Sequence, residues 1–295
     1  MSVPGSSAKA LTVEGAGVEG SSHALEGETA EWYRITRAVS GTVNAGAIAV
    51  GALVHLITDY PATNVTIDTA VWGPWQGPLD PVEWMITITR IAPHQYQYKF
   101  EGRDKHDPTA VFVTVLSGVH TAGLDSTGAE MEGFGAGSFT LDWNARATLP
   151  APDDNIGTAS YTYDHTGPGQ VINISAKFRR VKDDDNPGHL VDADYAFTQN
   201  PGAQGSMDFV FNMPGSLTNP AGAVAKVHSR WQWSGAGRSD VSATALDSAL
   251  TYTLSECWDE HYASTYKSVP LSSSLADNYG SEATCVFPTV EYSSL

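Results

Sequence analysis

Val43–Ile57, VNAGAIAVGALVHLI, is apolar or small at every position except Asn44 and His55. It continues a pattern that begins upstream, where Trp32, Ile35, Val39, Val43, Ala47, Val50, Val54 and Ile57 recur at the three- and four-residue spacings of a helix. Thr29 is placed to cap this helix and Pro61 to stop it. Gly41, Gly46 and Gly51 each cost about 1 kcal/mol relative to Ala, so the segment 29–60 is expected as one helix, or as two divided near Ser40–Gly41. A helix apolar on most sides belongs inside protein. No uninterrupted apolar run reaches the length of a bilayer span, so an integral membrane helix is not expected.

After Pro61 the period changes to two. Val65, Ile67, Thr69 and Val71 alternate with polar residues, as do Trp84, Ile86 and Ile88, then Tyr96, Tyr98 and Phe100. The alternation recurs at Phe139, Leu141 and Trp143, at Ile174, Ala176 and Phe178, at Met207, Phe209 and Phe211, and at Val241, Ala243 and Ala245. Turn signals such as Gly167-Pro168-Gly169, Asn186-Pro187-Gly188 and Asn200-Pro201-Gly202 separate these runs. The expected fold is therefore mainly β: one long antiparallel up-and-down sheet, strongly curved or nearly closed, wrapping the N-terminal helix. Strands occupy 64–256, and a C-terminal segment, 257–295, is clipped on by a disulfide. A membrane β-barrel is disfavoured because several runs look too short for a bilayer.

The 295 residues carry 33 Asp and Glu against 16 Lys and Arg, a net charge of −17. That balance repels nucleic-acid phosphates and anionic lipid headgroups. The two cysteines, Cys257 and Cys285, suit one bridge in an exported protein. Residues 1–28 are rich in Gly and Ser and read as a flexible tether, leaving 29–295 as a single domain. The expected location is the periplasm, the outer-membrane surface or the extracellular space. Any membrane attachment would run only through an N-terminal anchor.

No nucleophile elbow or phosphate loop is present. Asp183, Asp185, Asp192 and Asp194 surround the Asn186-Pro187-Gly188 turn. They are hard oxygen donors of the kind calcium prefers, but the spacing is not that of an EF-hand. An acidic hairpin turn is the plainer reading, and no other cofactor is indicated. Asp259-Glu260-His261 gathers ionisable groups, but successive strand residues point to opposite faces, which favours a surface role. Trp72-Gly73-Pro74-Trp75 reads as a rigid loop, with its indoles either exposed as a platform or turned inward as a plug.

The block Val71–Arg103 (VWGPWQGPLDPVEWMITITRIAPHQYQYKFEGR) resembles a segment of uncharacterised exported bacterial lipoproteins. The layout is also similar to lipoprotein-carrier half-barrels, in which a curved antiparallel sheet holds acyl chains under helical cover. This likeness is architectural and transfers no residue. It implies a non-catalytic protein that binds a lipid or other apolar small molecule between sheet and helix. The candidate lining is Val50, Val54, His55, Trp84, Tyr98, Trp143, Phe178, Phe209, Phe211, Trp231 and Trp233. Two alternatives stand beside it: a structural or adhesive surface protein with a filled core, stabilised by calcium in one variant, and a hydrolase with an unrecognised site.

Overall fold

The computed structural model describes residues 25–183, 186, 188–215, 221–272 and 277–295. Among these, fifteen strands form one sheet in sequence order, β1 to β15, so each strand lies beside its chain neighbour. The sheet is open, with β1 and β15 at its two edges. The meander expected from the alternating runs is thus the observed topology, without closure into a barrel. Several strands are longer than their apolar runs suggest, β6 reaching 13 residues.

The chain packs as two compact units. One comprises Asn44–Gln170 with Ala176–Lys182; the described parts of Lys9–Val43 and Asp183–Leu295, with Val171–Ser175, form the other. The first contains β1 (Asn64–Val65), β2 (Thr69–Gln76), β3 (Val82–Ala92), β4 (Gln95–Asp104), β5 (Val113–Leu124), β6 (Glu130–Asp142) and β7 (Thr158–His165). β8 (Ile172–Lys182) contributes residues to both. The second contains β9 (Leu190–Gln199), β10 (Gly205–Met213), β11 (Ala223–Trp231), β12 (Gly237–Ala245), β13 (Thr251–Trp258), β14 (Ser264–Ser268) and β15 (Tyr279–Gly280).

One unbroken helix, α1 (Glu31–Thr58), precedes the sheet. Neither Gly41 nor Gly51 has a neighbour within 4 Å of where a Cβ would stand, so each costs the helix only its intrinsic propensity. Thr29 does not cap α1; it bridges to Ala263. The Trp32 amide is instead accepted by the Glu256 carboxylate at 2.7 Å, a negative group at the positive end of the helix.

Burial of α1 departs from the expectation. Thr36, Val39, Val43, Val50 and Ile57 form a buried stripe, whereas Ala38, Gly41, Ala45, Gly51, Ala52 and His55 are exposed and Ile48 is 69% exposed. The helix is covered on one side instead of surrounded. Its outward residues are apolar in class but mostly too small to expose much area, and hydrophobic driving force follows area. Over Glu31–His55 the helix also reaches the length to cross a membrane, with a mean hydropathy of 1.4. Counting uninterrupted apolar runs missed this because Ser40, Thr42 and Asn44 break the runs without removing the average.

Glycines opposite aromatic rings recur across the sheet. A Cβ on Gly102 would lie 2.7 Å from the Trp84 ring, one on Gly118 2.5 Å from the Tyr98 hydroxyl, and one on Gly137 2.6 Å from the Tyr163 hydroxyl. Trp231 occupies the space over Gly205, and Trp258 that over Gly237. In each case a large ring on one strand lies over a neighbouring strand's missing side chain, the arrangement that rescues glycine in sheets.

Two local expectations change. Trp143 does not prolong β6; it opens a one-turn helix, α2 (Trp143–Arg146), because the Asp142 carboxylate accepts the Ala145 amide at 2.9 Å and caps it. Trp72–Trp75 is not a loop; it lies in β2, with a register shift between the two tryptophans.

Candidate functional site

Of the anticipated lining residues in the first unit, Trp84 and Phe178 are buried against other rings. Trp84 stacks on Phe100 at 4.9 Å, and its indole N–H donates to Asp80 Oδ2 at 2.9 Å. Phe178 meets Tyr161 edge-on at 5.8 Å, and Tyr161 stacks on Phe139 at 4.7 Å. Burial pushes the Tyr98 and Tyr161 hydroxyls up from their ordinary pKa and that of Tyr163 up to about 12. Val50 is buried and Val54 half-buried. His55 is exposed, its Nε2 3.1 Å from Glu132. Trp143 sits half-buried in α2.

In the second unit Phe209 and Phe211 stack at 4.9 Å. Trp231 tilts against Phe197 at 5.8 Å and donates to Gln199 Oε1 at 2.9 Å. Trp233 lies in the turn after β11, 70% exposed. Its alternation with Trp231 ends with the strand, so it does not share the buried face. An open groove of about 430 Å³ lies in the first unit, lined by Leu124, Met131, Thr166 and Gln170 among others. None of the anticipated lining residues borders it.

Trp72 donates to the Tyr60 carbonyl at 2.7 Å, and Trp75 faces Phe100 at 6.2 Å. Both are half-buried, which favours the inward reading.

The acidic turn is built on Asp183, which is buried, accepts both the amide and the side-chain N–H of Asn186, and pairs with His189 at 2.8 Å. Asp185 lies outside the described residues. Asp192 is exposed and Asp194 half-buried on β9. Among the described residues no three His, Cys, Asp or Glu side chains gather as a metal site. Asp259 caps its own turn, accepting the His261 and Ala263 amides at 2.9 Å each.

The densest polar constellation is on β11–β14, where both sheet faces are covered and both coverings are polar. On one face α1 docks. Glu256 accepts Trp32 N–H and, at 2.8 Å, the Ser264 hydroxyl. Lys267 Nζ donates to Glu31 at 3.0 Å, and Thr36, Ser229 and Ser239 link hydroxyl to hydroxyl. Burial raises the Glu256 pKa, against the lowering effect of the Trp32 amide.

On the opposite face lies the chain's end. Cys257 and Cys285 are joined, with Cα atoms 5.7 Å apart, so the inferred bridge is present. Around it, residues 282–295 form a strap across β12 and β11 that opens with a 3-10 turn, Glu282–Thr284, and continues without regular structure. Arg238 and Asp240 are fully buried beneath it. Asp240 Oδ1 accepts from Arg238 Nε at 2.8 Å and Ser255 at 2.6 Å, and its Oδ2 from Arg230 at 3.0 Å. Such a pair contributes little net stability but is costly to break.

These residues were absent from the sequence-derived candidates. The legible signal was Lys226-Val227-His228-Ser229-Arg230, three basic side chains at alternate positions and therefore on one face of a strand.

No protein-family model, curated protein or solved structure matches the chain.

Proposed function

We propose that this chain is a non-catalytic, exported scaffold protein with a filled core, acting through its surface. The carrying observation is the use of its large aromatic side chains. Trp84 stacks on Phe100, Phe139 on Tyr161 and Phe209 on Phe211, and Tyr98, Tyr163, Trp231 and Trp258 fill the spaces over glycines. An acyl chain would have to displace rings from contacts worth about 0.5–1.5 kcal/mol per pair beyond their buried area. The convergent ionisable groups support the non-catalytic part, since Asp240 is held by two arginines and a serine instead of being poised against a nucleophile. The disulfide and the apolar N-terminal helix support export.

Native mass spectrometry of the protein purified from its own host tests this. The polypeptide alone, with its disulfide intact, is the expected mass. A stoichiometric lipid adduct that survives gentle desolvation overturns the filled-core reading in favour of an apolar-ligand carrier.

A further inference from the structure

We propose that the outward face of α1 is a dimer interface, on which the same face of a second copy of this chain lies antiparallel. Ala38, Gly41, Ala45, Ile48, Ala52 and His55 are all exposed and follow one another at alternating spacings of three and four. Arg34 and Asp59, also exposed, continue that spacing at the two ends. A strict three–four alternation has the period of about 3.5 residues that defines a coiled-coil seam. At about 100° per residue, this seam runs half a turn around the helix from the buried stripe of Val39, Val43, Val50 and Ile57. One side of α1 is committed to its own chain, and the opposite side, equally regular, faces outward.

Charge names the occupant. Arg34 and Arg37 stand exposed at one end of the seam. At the other end Asp59 is 60% exposed, and His55 holds the Glu132 carboxylate at 3.1 Å. A face positive at one end and negative at the other is complementary to itself turned end over end, which is the symmetry of a two-fold dimer. The antiparallel register that sets Arg34 against Asp59 of the second copy also sets Ala38 against His55, Gly41 against Ala52 and Ala45 against Ile48. The one large apolar side chain of the row, Ile48, is 69% exposed and in this register lies over an alanine.

Gly41 gives independent support. A Cβ added there would meet nothing within 4 Å, so the fold of the single chain does not call for this glycine, although glycine weakens a helix. Close approach of a second backbone does call for it. With glycine and alanine along the seam, two helices can pack near the lower end of the usual range of about 8–10 Å between axes, where dispersion contacts are densest. A lipid surface fits this face less well. Its small side chains would bury little apolar area, and its acidic end repels anionic headgroups. The interface is independent of what fills the core.

Sedimentation equilibrium of the full, oxidised chain at concentrations up to about 100 μM tests this. A monomer–dimer equilibrium is expected. Gly41→Leu and Ile48→Glu alter positions that face away from the chain's own core, and each should weaken the dimer at least about tenfold. R34E should weaken it about tenfold, and the charge swap R34E/D59R should restore it to within about threefold of the wild type. A parallel pair would respond oppositely, since R34E would relieve repulsion between like ends. Circular dichroism confirms that each variant is folded. A monomer throughout, a dimer indifferent to Gly41→Leu, or a charge swap that fails to restore association overturns the interface. Because α1 is long and apolar enough to cross a membrane, flotation with phosphatidylcholine vesicles is the second arm. A folded monomer that floats with them assigns the face to lipid and likewise overturns the proposal.

Discussion

Tyr161 places its hydroxyl against Gly46 of α1, so that a Cβ added to the glycine would stand 2.8 Å from the Tyr161 oxygen. The ring carbon behind it would be 3.4 Å away, an ordinary contact. The glycine is therefore required by one oxygen atom and not by the ring.

Gly46→Ala should accordingly gain nothing or lose up to about 1 kcal/mol in the wild type, because the clash opposes the helix propensity that alanine brings. In a Tyr161→Phe background the same substitution should stabilise by about 0.5–1 kcal/mol. A double-mutant cycle by urea denaturation checks this; equal effects in both backgrounds refute the contact.

Glycines in α1 and in the sheet should respond oppositely. Gly51→Ala meets no neighbour and should stabilise by about 0.5–1 kcal/mol. Gly118→Ala would press on the Tyr98 hydroxyl and the Ser138 carbonyl and should destabilise by about 1–3 kcal/mol. Thermal melts of the two variants should move apart in sign.

Glu256 makes stability fall as pH rises. Burial holds its pKa above the ordinary glutamate value, so the folded state binds the proton more tightly than the unfolded chain does. This group's contribution is complete below the unfolded pKa and is lost as pH climbs through the folded one. Glu256→Gln should flatten that part of the pH profile. Glu256→Ala, which strands the Trp32 amide and leaves the Ser264 hydroxyl only Tyr279 as a partner, should cost about 1–3 kcal/mol at any pH. Denaturation midpoints from pH 4 to 8 distinguish the two.

His120 acts in the other direction. Burial lowers its pKa, and its Nδ1 lies 2.9 Å from the Tyr163 hydroxyl. Its contribution is present above the unfolded histidine pKa and is lost as pH falls through the folded one. His120→Asn should remove this acid-side loss; an unchanged acid limb would show that the ring titrates as in free solution.

The alternating runs and the two cysteines made the meander and the bridge legible, because both depend on local period or simple count. The cross-strand fit of Tyr98 over Gly118, or Trp231 over Gly205, was not legible, since it exists only once register is set. The burial of α1 was misjudged because Ala and Gly count as apolar while offering little area. Arg230, Arg238 and Asp240 were passed over for a different reason. Charges alternating with Val and Ser on a strand look like a wet face, and only the returning chain end makes that face dry. Asp142, by contrast, was a readable cap that the alternation through Trp143 obscured.

The outermost strands, Asn64–Val65 and Tyr279–Gly280, are two residues each. Next to the latter, Gly27 and Glu28 fold back to bond both backbone groups of Ser264. Among the described residues, such short terminal strands offer a newcomer chain little amide and carbonyl row to zip onto, which disfavours extension of one copy's ladder by another. The breadth of the sheet is thus achieved with little open ladder left at either side of it.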